Sequence, residues 1–502
     1  MQKIDIHYHD VHFDSESYVC YDIWMNSDIN TEVFMIYNGS QTIAAISTAV
    51  TEAGIGIVRM SGDHAVEIAD KVYKGKNKLE SCASHTIHYG FIVDGEETID
   101  EVLVMIMKGP RSYTGEDTVE INCHGGVYVV KKVLETLIKY GARPAEPGEF
   151  TKRAFLNGRM DLSQAEAVID IIQSKNEYAL KSSLSQLKGN VKKKISDIRN
   201  KIIYHTAFIE TALDDPEHIS VDGYGDTLKI VAEELLRDIK ELIDSSDNGR
   251  VIKEGINTVI VGKPNAGKSS LLNALLGEER AIVTDIAGTT RDVLEENIRL
   301  QGISLNVMDT AGIRDTEDII EKIGVEKAIG YAKDADLIIY VIDASVELDD
   351  NDYEILKLLQ EKQSIILLNK SDLTMIIGKK EIETAYFAGN PSKQCFDIPV
   401  IEISAKNGKG IKELENVLKE MFYHGELSFN TEVYITNVRH KKALQDAYDS
   451  LCKVIESIDI GMPEDFYSID LMDAYESLGN ITGETLGEDL VNEIFSKFCM
   501  GK

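Results

Sequence analysis

Positive charge is what this chain lacks most: 53 Lys and Arg stand against 85 Asp and Glu in 502 residues, a formal net charge of −32. Neutralising a phosphate backbone takes an excess of cations. Broad, sequence-independent adhesion to nucleic acid is therefore excluded, and any RNA contact must be local or shared with a more basic partner. Cysteine is sparse too. Cys20, Cys82, Cys123, Cys395, Cys452 and Cys499 are scattered without the paired spacing of a zinc site, which points to a reducing, cytoplasmic compartment. No apolar run reaches the length that spans a bilayer, and no signal peptide is visible at the start. The chain has room for two or three domains with cores of their own. Its single tryptophan, Trp24, lies in a segment unlike the rest. Residues 1–40 also hold His7, His9 and His12 and show little periodicity. A metal-binding cluster is one reading of them; the other is a non-conforming leader, with translation beginning at Met35.

What is present is organised around Gly262-Lys263-Pro264-Asn265-Ala266-Gly267-Lys268-Ser269, a match to G-x-x-x-x-G-K-[ST] directly after the apolar run Val259-Ile260-Val261. Strand, glycine loop and apolar-periodic helix (Ser270 to Leu276) form the context of a phosphate-binding loop. Backbone N–H groups wrap a polyphosphate at a helix N-terminus, where the helix dipole also favours negative charge. Asn265, Ala266, Gly267, Lys268, Ser269 and Ser270 are the predicted phosphate contacts. Lys268 reaches the β- and γ-phosphates, and the Ser269 hydroxyl holds Mg²⁺.

Further along, the apolar run Leu305 to Met308 leads to Asp309-Thr310-Ala311-Gly312, where a carboxylate at a strand end serves the Mg²⁺ and a glycine approaches the γ-phosphate. Ile365 to Leu368 delivers Asn369-Lys370-Ser371-Asp372. Asp372 can accept from both N1–H and the 2-amino group of guanine, a donor pair adenine lacks, so the base is guanine. Ser404-Ala405-Lys406, after the run Val400 to Ile403, closes over that base. Four elements in this order, each after a strand, resemble the guanine-nucleotide-binding domain of translation-factor-type GTPases.

Ras-like enzymes orient the attacking water with a Gln after the Asp-x-x-Gly element. Ile313 occupies that place, and an apolar side chain cannot polarise water. Help must come from elsewhere. Thr284-Asp285-Ile286-Ala287-Gly288-Thr289-Thr290 supplies hydroxyls and carbonyls in a short loop of the kind that suits a hard monovalent cation. This resembles the potassium-activated GTPases that dimerise across their nucleotide faces. The resemblance implies K⁺ held by Asn265, Thr284, Ile286 and Thr289, with Thr290 as a second Mg²⁺ ligand. Read alone, Asn265 is equally well a turn residue after Pro264.

The rest of the chain divides by pattern. Strand-like runs from Thr42 to Ser61, His85 to Val93 and Glu101 to Met107, with a helix from Gly126 to Tyr140, predict a compact α+β domain ending near residue 153. Leu180, Leu184, Leu187, Val191, Ile195 and Ile198 recur at helical spacing, and Asp215-Pro216 stops that region. Leu228, Val231, Leu235, Ile239 and Leu242 form a second stripe. Residues 436–498 are again helical, so the GTPase portion is predicted to be inserted into an all-α region. Lys188, Lys192, Lys193, Lys194, Arg199 and Lys201 make one stretch locally basic, read first as a solvated face and second as an RNA contact.

Three more segments complete the pattern: Arg111 to Glu120 with Cys123-His124-Gly125-Gly126; Pro147 to Arg159 running into Asp161 to Ala167; and the ending Cys499-Met500-Gly501-Lys502. With the potassium-type GTPase domain between them, they resemble the MnmE (TrmE) family of tRNA-uridine modification GTPases, from about residue 41 to 502. The resemblance implies residues 41–153 as a tetrahydrofolate-binding and dimerisation domain, 154–254 and 423–502 as two parts of a helical domain, and 255–422 as the inserted GTPase with a mostly parallel, doubly wound sheet. It further implies a homodimer joined through the N-terminal domain. With an FAD-dependent partner, MnmG, the homodimer forms a heterotetramer that adds aminomethyl or carboxymethylaminomethyl groups to carbon 5 of the wobble uridine (position 34) of certain tRNAs. The one-carbon donor is 5-formyl- or 5,10-methylene-tetrahydrofolate. Arg59, Glu120, Arg159 and Lys502 match the family's folate contacts, and the chemistry agrees: Glu120 can accept from the pterin's N–H groups, while Arg59 and Arg159 can meet the glutamate tail. Cys499 matches the family's C-terminal cysteine, either a catalytic thiolate or a small buried apolar residue. Glu321 matches the acid that positions the hydrolytic water. Two departures stand out. Val50 to Gly54 replaces a proline- and glycine-rich loop, and Arg159 stands where many members have lysine.

Two rivals remain. A ribosome-assembly GTPase of the Era or Der type would need an RNA-binding domain after the GTPase, such as a KH fold with its Gly-x-x-Gly loop, and Gly479 and Gly483 have the wrong spacing for one. A nonenzymatic nucleotide switch is compatible with Ile313 but not with Glu321 and the cation loop; turnover in K⁺ against Na⁺ separates the two.

Overall fold

The computed structural model describes residues 41–220, 223–278, 296–300, 303–308, 335–359, 362–388, 395–423, 435–485, 487–499 and 501. The chain divides into two compact units. One, 1–39 with 282–293, lies outside the described residues; the other, 40–281 with 294–502, contains all of them.

The first seven strands and three helices are β1 (Ile43–Ile46), β2 (Ala53–Ser61), α1 (Ala65–Val72), β3 (Tyr73–Gly75), β4 (Thr86–Asp94), β5 (Glu97–Met107), β6 (Thr118–Gly125), α2 (Val127–Lys139), β7 (Arg143–Pro144) and α3 (Glu149–Leu156). The strands form one sheet in the order β3-β4-β5-β6-β2-β1-β7. Strand residues of period two, among them Val58, Met60, Val102, Val104, Ile106, Val119 and Ile121, share a core with α1 and α2. The opposite face keeps apolar side chains in solvent. Ile87, Tyr89 and Phe91 of β4 and Leu103 of β5 are exposed, and Tyr89 lies directly across from Leu103.

Long helices follow: α4 (Leu162–Gln173), α5 (Glu177–Leu187), α6 (Asn190–Asp214) and α7 (Tyr224–Glu254). The stripe predicted from Leu180 to Ile198 is corrected in two respects. Gly189, at φ +87°, breaks it into α5 and α6, and Leu180 and Leu184 are exposed rather than buried. The basic stretch is largely neutralised by its neighbours. Lys194 meets Asp238 at 3.2 Å, Lys201 meets Glu234 at 2.6 Å, and Arg199 pairs with Glu484 and stacks 4.0 Å over Tyr475.

A second sheet comes next, built from β8 (Ile256–Val261), α8 (Lys268–Glu278), β9 (Glu296–Leu300), β10 (Ile303–Val307), β11 (Leu337–Asp343), α9 (Asp350–Leu358), β12 (Ser364–Asn369), α10 (Lys379–Ala388), β13 (Val400–Glu402) and α11 (Ile411–Tyr423). Its order is β13-β12-β11-β8-β10-β9, parallel throughout except for the edge strand β9. Both faces are covered: Leu337, Ile339, Val341, Ile365 and Leu367 pack with α8 and α11, while Ile338, Tyr340, Ile342, Ile366 and Leu368 pack with α9 and α10. That is why these strands are continuous apolar runs instead of alternating ones.

The chain closes with α12 (Val438–Asp459), α13 (Glu464–Thr482) and α14 (Glu488–Ser496). Ile195, Ile198, Leu235 and Ile239, from before the second sheet, share one core with Leu444, Leu451, Leu471 and Leu478, from after it. Helix α4 pins both passages of the chain through that boundary. Glu166, one turn before Asp170, accepts from Arg439 Nε at 3.0 Å and Nη2 at 2.8 Å and meets His440 Nε2 at 2.8 Å; Asp170 pairs with Lys253 at 2.8 Å.

Burial works to raise the Glu166 pKa, but His440 and Arg439 outweigh it and hold the carboxyl at about 2, against an ordinary 4.5. A depressed folded-state pKa gives stability that is present above 4.5 and is lost as pH falls toward 2. Glu166→Gln is therefore expected to cost about 3 kcal/mol at pH 7, because it leaves the Arg439 guanidinium without its carboxylate in a partly buried setting. The gap from the parent should narrow as pH drops below about 4.5. Urea unfolding followed across pH checks this, and a gap independent of pH would show that the Glu166 charge contributes nothing.

Candidate functional site

In the second sheet the strand order reverses at β8, with β10 on one side and β11 on the other. A crevice at the carboxyl ends of parallel strands, at such a switch point, is where doubly wound folds take ligands. The loop after β8 is the 262–269 segment. Gly262 has φ +152°, and a Cβ there would lie 2.3 Å from the Val341 carbonyl oxygen. Gly267 has φ +98°, and its Cβ would collide with Asn369 Nδ2 at 2.1 Å. Both must be glycine. Asn265 itself adopts φ +62°, a backbone state Asn tolerates. Its φ alone accounts for an Asn in the turn, whatever else its side chain does.

Lys268 opens α8 and bends back over the loop, donating to the carbonyls of Gly262 at 2.6 Å and Lys263 at 2.9 Å. Burial lowers its pKa, so an anion at this position would favour its charged form. Ala266 is buried and Ser269 and Ser270 follow in the first turn of α8, whose N–H groups face the loop.

The 369–372 element ends β12 and faces this loop. Asn369 Nδ2 donates to the Ala266 carbonyl at 2.8 Å, and its Oδ1 accepts from the Ala405 N–H at 3.0 Å. One side chain thereby ties the glycine loop to the 404–406 turn. Lys370, at φ +64°, pairs with Asp343 at the end of β11, 2.5 Å away. Asp372 accepts from Ser404 Oγ at 2.7 Å, and that bond is the main cause that lowers its pKa, with Lys406 and Lys370 adding to it. Its carboxylate is ionised at neutral pH and presents only acceptors. Ser371 Oγ is buried with no hydrogen-bond partner among the described residues. Asp309, Thr310, Ala311, Gly312 and Glu321 lie outside the described residues, as do Thr284, Asp285, Ile286, Ala287, Gly288, Thr289 and Thr290. Of the predicted Mg²⁺ and K⁺ ligands, only Ser269 and Asn265 are placed.

A second cluster sits where the first sheet meets the chain's end. Arg59 and Glu120 are cross-strand partners on β2 and β6, and Nε and Nη2 of the arginine both approach Glu120 Oε1 at 2.7 Å. Arg59 Nη1 also donates to the Gly501 carbonyl at 3.3 Å, which Ser47 Oγ shares at 3.2 Å. Tyr113 lies between two cations, its ring centre 5.3 Å from the Arg59 guanidinium and 5.1 Å from that of Arg159. A cavity of about 450 Å³ opens beside it, lined by Tyr113, Arg159, Gln164, Val168, Ile172 and Leu187 among others. A planar, anionic, partly apolar ligand fits such a lining, and Arg159 is the exposed cation that would meet its charge. Lys502 lies outside the described residues. Cys499 is exposed, so the reading of it as a buried apolar residue is corrected: the tail carries it past the Gly148 N–H, which reaches its carbonyl at 3.4 Å, and leaves the side chain in solvent.

Sequence reasoning assigned no role to Tyr113, Gly501, Lys263 or Asp352. Tyr113 stood inside a quoted segment, yet only the fold shows it between two guanidinium groups. Among the described residues no group of three or more potential ligands gathers for a metal, and no helix is long and apolar enough to cross a membrane.

Residues 42–159 match a family model described as the GTP-binding protein TrmE N-terminus, and residues 162–499 match the MnmE helical domain. The chain is 58% identical to the tRNA modification GTPase MnmE of Lachnoclostridium phytofermentans over 466 residues, covering 92% of this chain and 100% of that protein. It is 51% identical over 463 residues to the protein of the same name from Acetivibrio thermocellus, covering 92% and 99%. For the Clostridioides difficile protein the identity is 50% over 463 residues, with the same coverage.

Proposed function

The chain belongs to the MnmE family of tRNA modification GTPases, and from that membership we propose that it is the GTP-hydrolysing subunit of the system that modifies carbon 5 of the wobble uridine in certain tRNAs. The observation that carries this reading is the pairing of a guanine-type site with a whole-chain match: Asn369 joins the glycine loop to the turn beside Asp372, within a chain similar along 92% of its length to tRNA modification GTPases.

In this reading Lys268 and Ser269 hold the phosphates and Mg²⁺, with Thr290 completing the Mg²⁺ ligands and Asp372 reading the base. Asn265, Thr284, Ile286 and Thr289 would hold K⁺, which would supply positive charge where it develops, and Glu321 would orient water in place of the glutamine that Ile313 replaces. The second cluster would hold a reduced folate. Glu120, oriented by its pair with Arg59, would take the pterin N–H groups, and Arg159, with Arg59, would meet the glutamate tail. When bound, the folate supplies a one-carbon unit; the chain's own residues bind and orient it. Lys502 adds a terminal cation and Cys499 an exposed thiol. The domain limits in this reading are 41–153, 154–254, 255–422 and 423–502, after the non-conforming segment 1–40.

The exposed apolar row of Ile87, Tyr89, Phe91 and Leu103 supports a homodimer joined through the first sheet. The acidic balance of −32 supports a further partner, the FAD-binding MnmG, carrying much of the tRNA contact.

The test is nucleoside mass spectrometry of tRNA from a strain lacking the gene. Loss of aminomethyl-type wobble uridines is expected, with restoration by a parental copy. A Glu321→Ala copy, expected to bind GTP without hydrolysing it, should fail to restore them. Unchanged wobble uridines in the deletion strain would sink the modification reading.

A further inference from the structure

Lys263, inside the glycine loop, reaches with its side chain to another element. Its ammonium lies 2.6 Å from Asp352 Oδ2 and 2.9 Å from Asp349 Oδ2, at the start of α9. Asp349 is the N-cap of that helix and Asp352 its third residue. The two exchange backbone and side-chain bonds, so the carboxylate pair is held rigidly: Asp349 Oδ1 accepts from the Asp352 N–H, and Asp352 Oδ2 from the Asp349 N–H at 2.9 Å. Asp352 is 1% exposed, and Tyr340, fully buried in β11, donates its hydroxyl to Asp352 Oδ1 at 2.5 Å. Burial, then the Asp352 charge, push the Tyr340 hydroxyl upward in pKa, so it stays a donor. Desolvation pulls the Lys263 pKa down, but the two aspartates prevail and raise it.

The main chain of Lys263 is equally engaged. Its carbonyl accepts from the Ala266 N–H at 3.3 Å, closing the turn that puts Asn265 at positive φ, and from Lys268 Nζ at 2.9 Å. One residue therefore closes the first turn of the loop, orients the phosphate-binding lysine and anchors both to a buried carboxylate. Asn369 fixes the far side of the same loop at the Ala266 carbonyl.

We propose that Lys263 is a positioning residue for GTP binding, with Asp352 and Tyr340 as its anchor: the chain Tyr340–Asp352–Lys263 holds the glycine loop in the conformation that receives phosphates, so the start of α9 sets how long a guanine nucleotide stays bound. Energetics favour Asp352 over Asp349. A partly buried, charge-assisted pair whose loss strands a buried carboxylate is costly, whereas the exposed Asp349 contributes little. The inference rests on residues 262–269 being the phosphate loop, and the experiment separates the two.

The measurement is dissociation of a fluorescent GDP analogue from the full-length protein by stopped flow. Lys263→Met is expected to release it about tenfold faster than the parent, and Asp352→Asn several-fold faster. Asp349→Asn should stay within about twofold, and Lys263→Arg, which keeps the charge and reach, should restore most of the retention. Thermal unfolding of each variant identifies any that is merely misfolded, and the Arg variant keeps the question open to refutation if the Met variant is. A parental off-rate in folded Lys263→Met, while Lys268→Ala loses the nucleotide, would overturn the positioning role alone. Normal nucleotide binding by Lys268→Ala would overturn the loop assignment and the inference with it.

Discussion

Lys268→Ala is expected to abolish GTP binding: in a titration with a fluorescent GTP analogue, affinity should fall by about a hundredfold or more. The side chain is half-buried, and its ammonium sits over the glycine loop on the carbonyls of Gly262 and Lys263. Those two contacts are neutral acceptors, and desolvation already works against the charge. Two phosphate oxygens in their place would form charge-assisted hydrogen bonds, each worth about 1.5–3 kcal/mol. Removing both gives a loss of about 3–6 kcal/mol, or roughly two to four decades in Kd. The nucleotide-free protein should hardly notice, because the lysine's hydrogen bonds go to carbonyls of its own loop. A variant that stays folded and binds GTP with parental affinity would remove the phosphate-loop assignment.

The GTPase sheet is the part of this molecule most legible in sequence, for a physical reason. Strands covered on both faces need apolar residues at every position, and Val259-Ile260-Val261 and Ile365 to Leu368 stand out as uninterrupted runs. Helical stripes are readable as well, but their continuity is not. The spacing of Leu180 to Ile198 carries straight through Gly189, and only the positive φ there shows where one helix ends and the next begins. Contacts set by long-range register are out of reach. Lys263 and Asp352 are 89 positions apart, and nothing in either local pattern brings them together. The same holds for Tyr113 between Arg59 and Arg159. Arg59 and Glu120 entered the candidate site through resemblance, and their pairing follows from the β2–β6 register, which sequence periodicity leaves undetermined. Glu321 and the 284–290 loop rest on resemblance still, since they lie outside the described residues.

Base selection gives the second large effect. Asp372 is an ionised acceptor pair, its carboxyl held below the usual carboxylate range chiefly by Ser404 Oγ at 2.7 Å. Guanine presents N1–H and a 2-amino group side by side, and two acceptor oxygens match two donors. Asp372→Asn would keep the shape of the side chain but leave one acceptor and one NH₂ donor, so a donor would face a donor. Losing one charge-assisted bond and leaving the other group unpaired costs about 3 kcal/mol or more, so GTP affinity should drop by about a hundredfold or more. Xanthine carries an oxygen where guanine carries the 2-amino group, and the new NH₂ can donate to it. Xanthosine triphosphate should therefore gain what GTP loses, with the phosphate contacts untouched. Displacement of a fluorescent nucleotide by each triphosphate measures the exchange. The pattern separates the two ends of the site: Lys268→Ala should weaken both triphosphates alike, whereas Asp372→Asn should invert their order. A variant at Asp372 that still preferred GTP would mean that the base is read by other groups, and that Ser404 and Asp372 merely brace the turn.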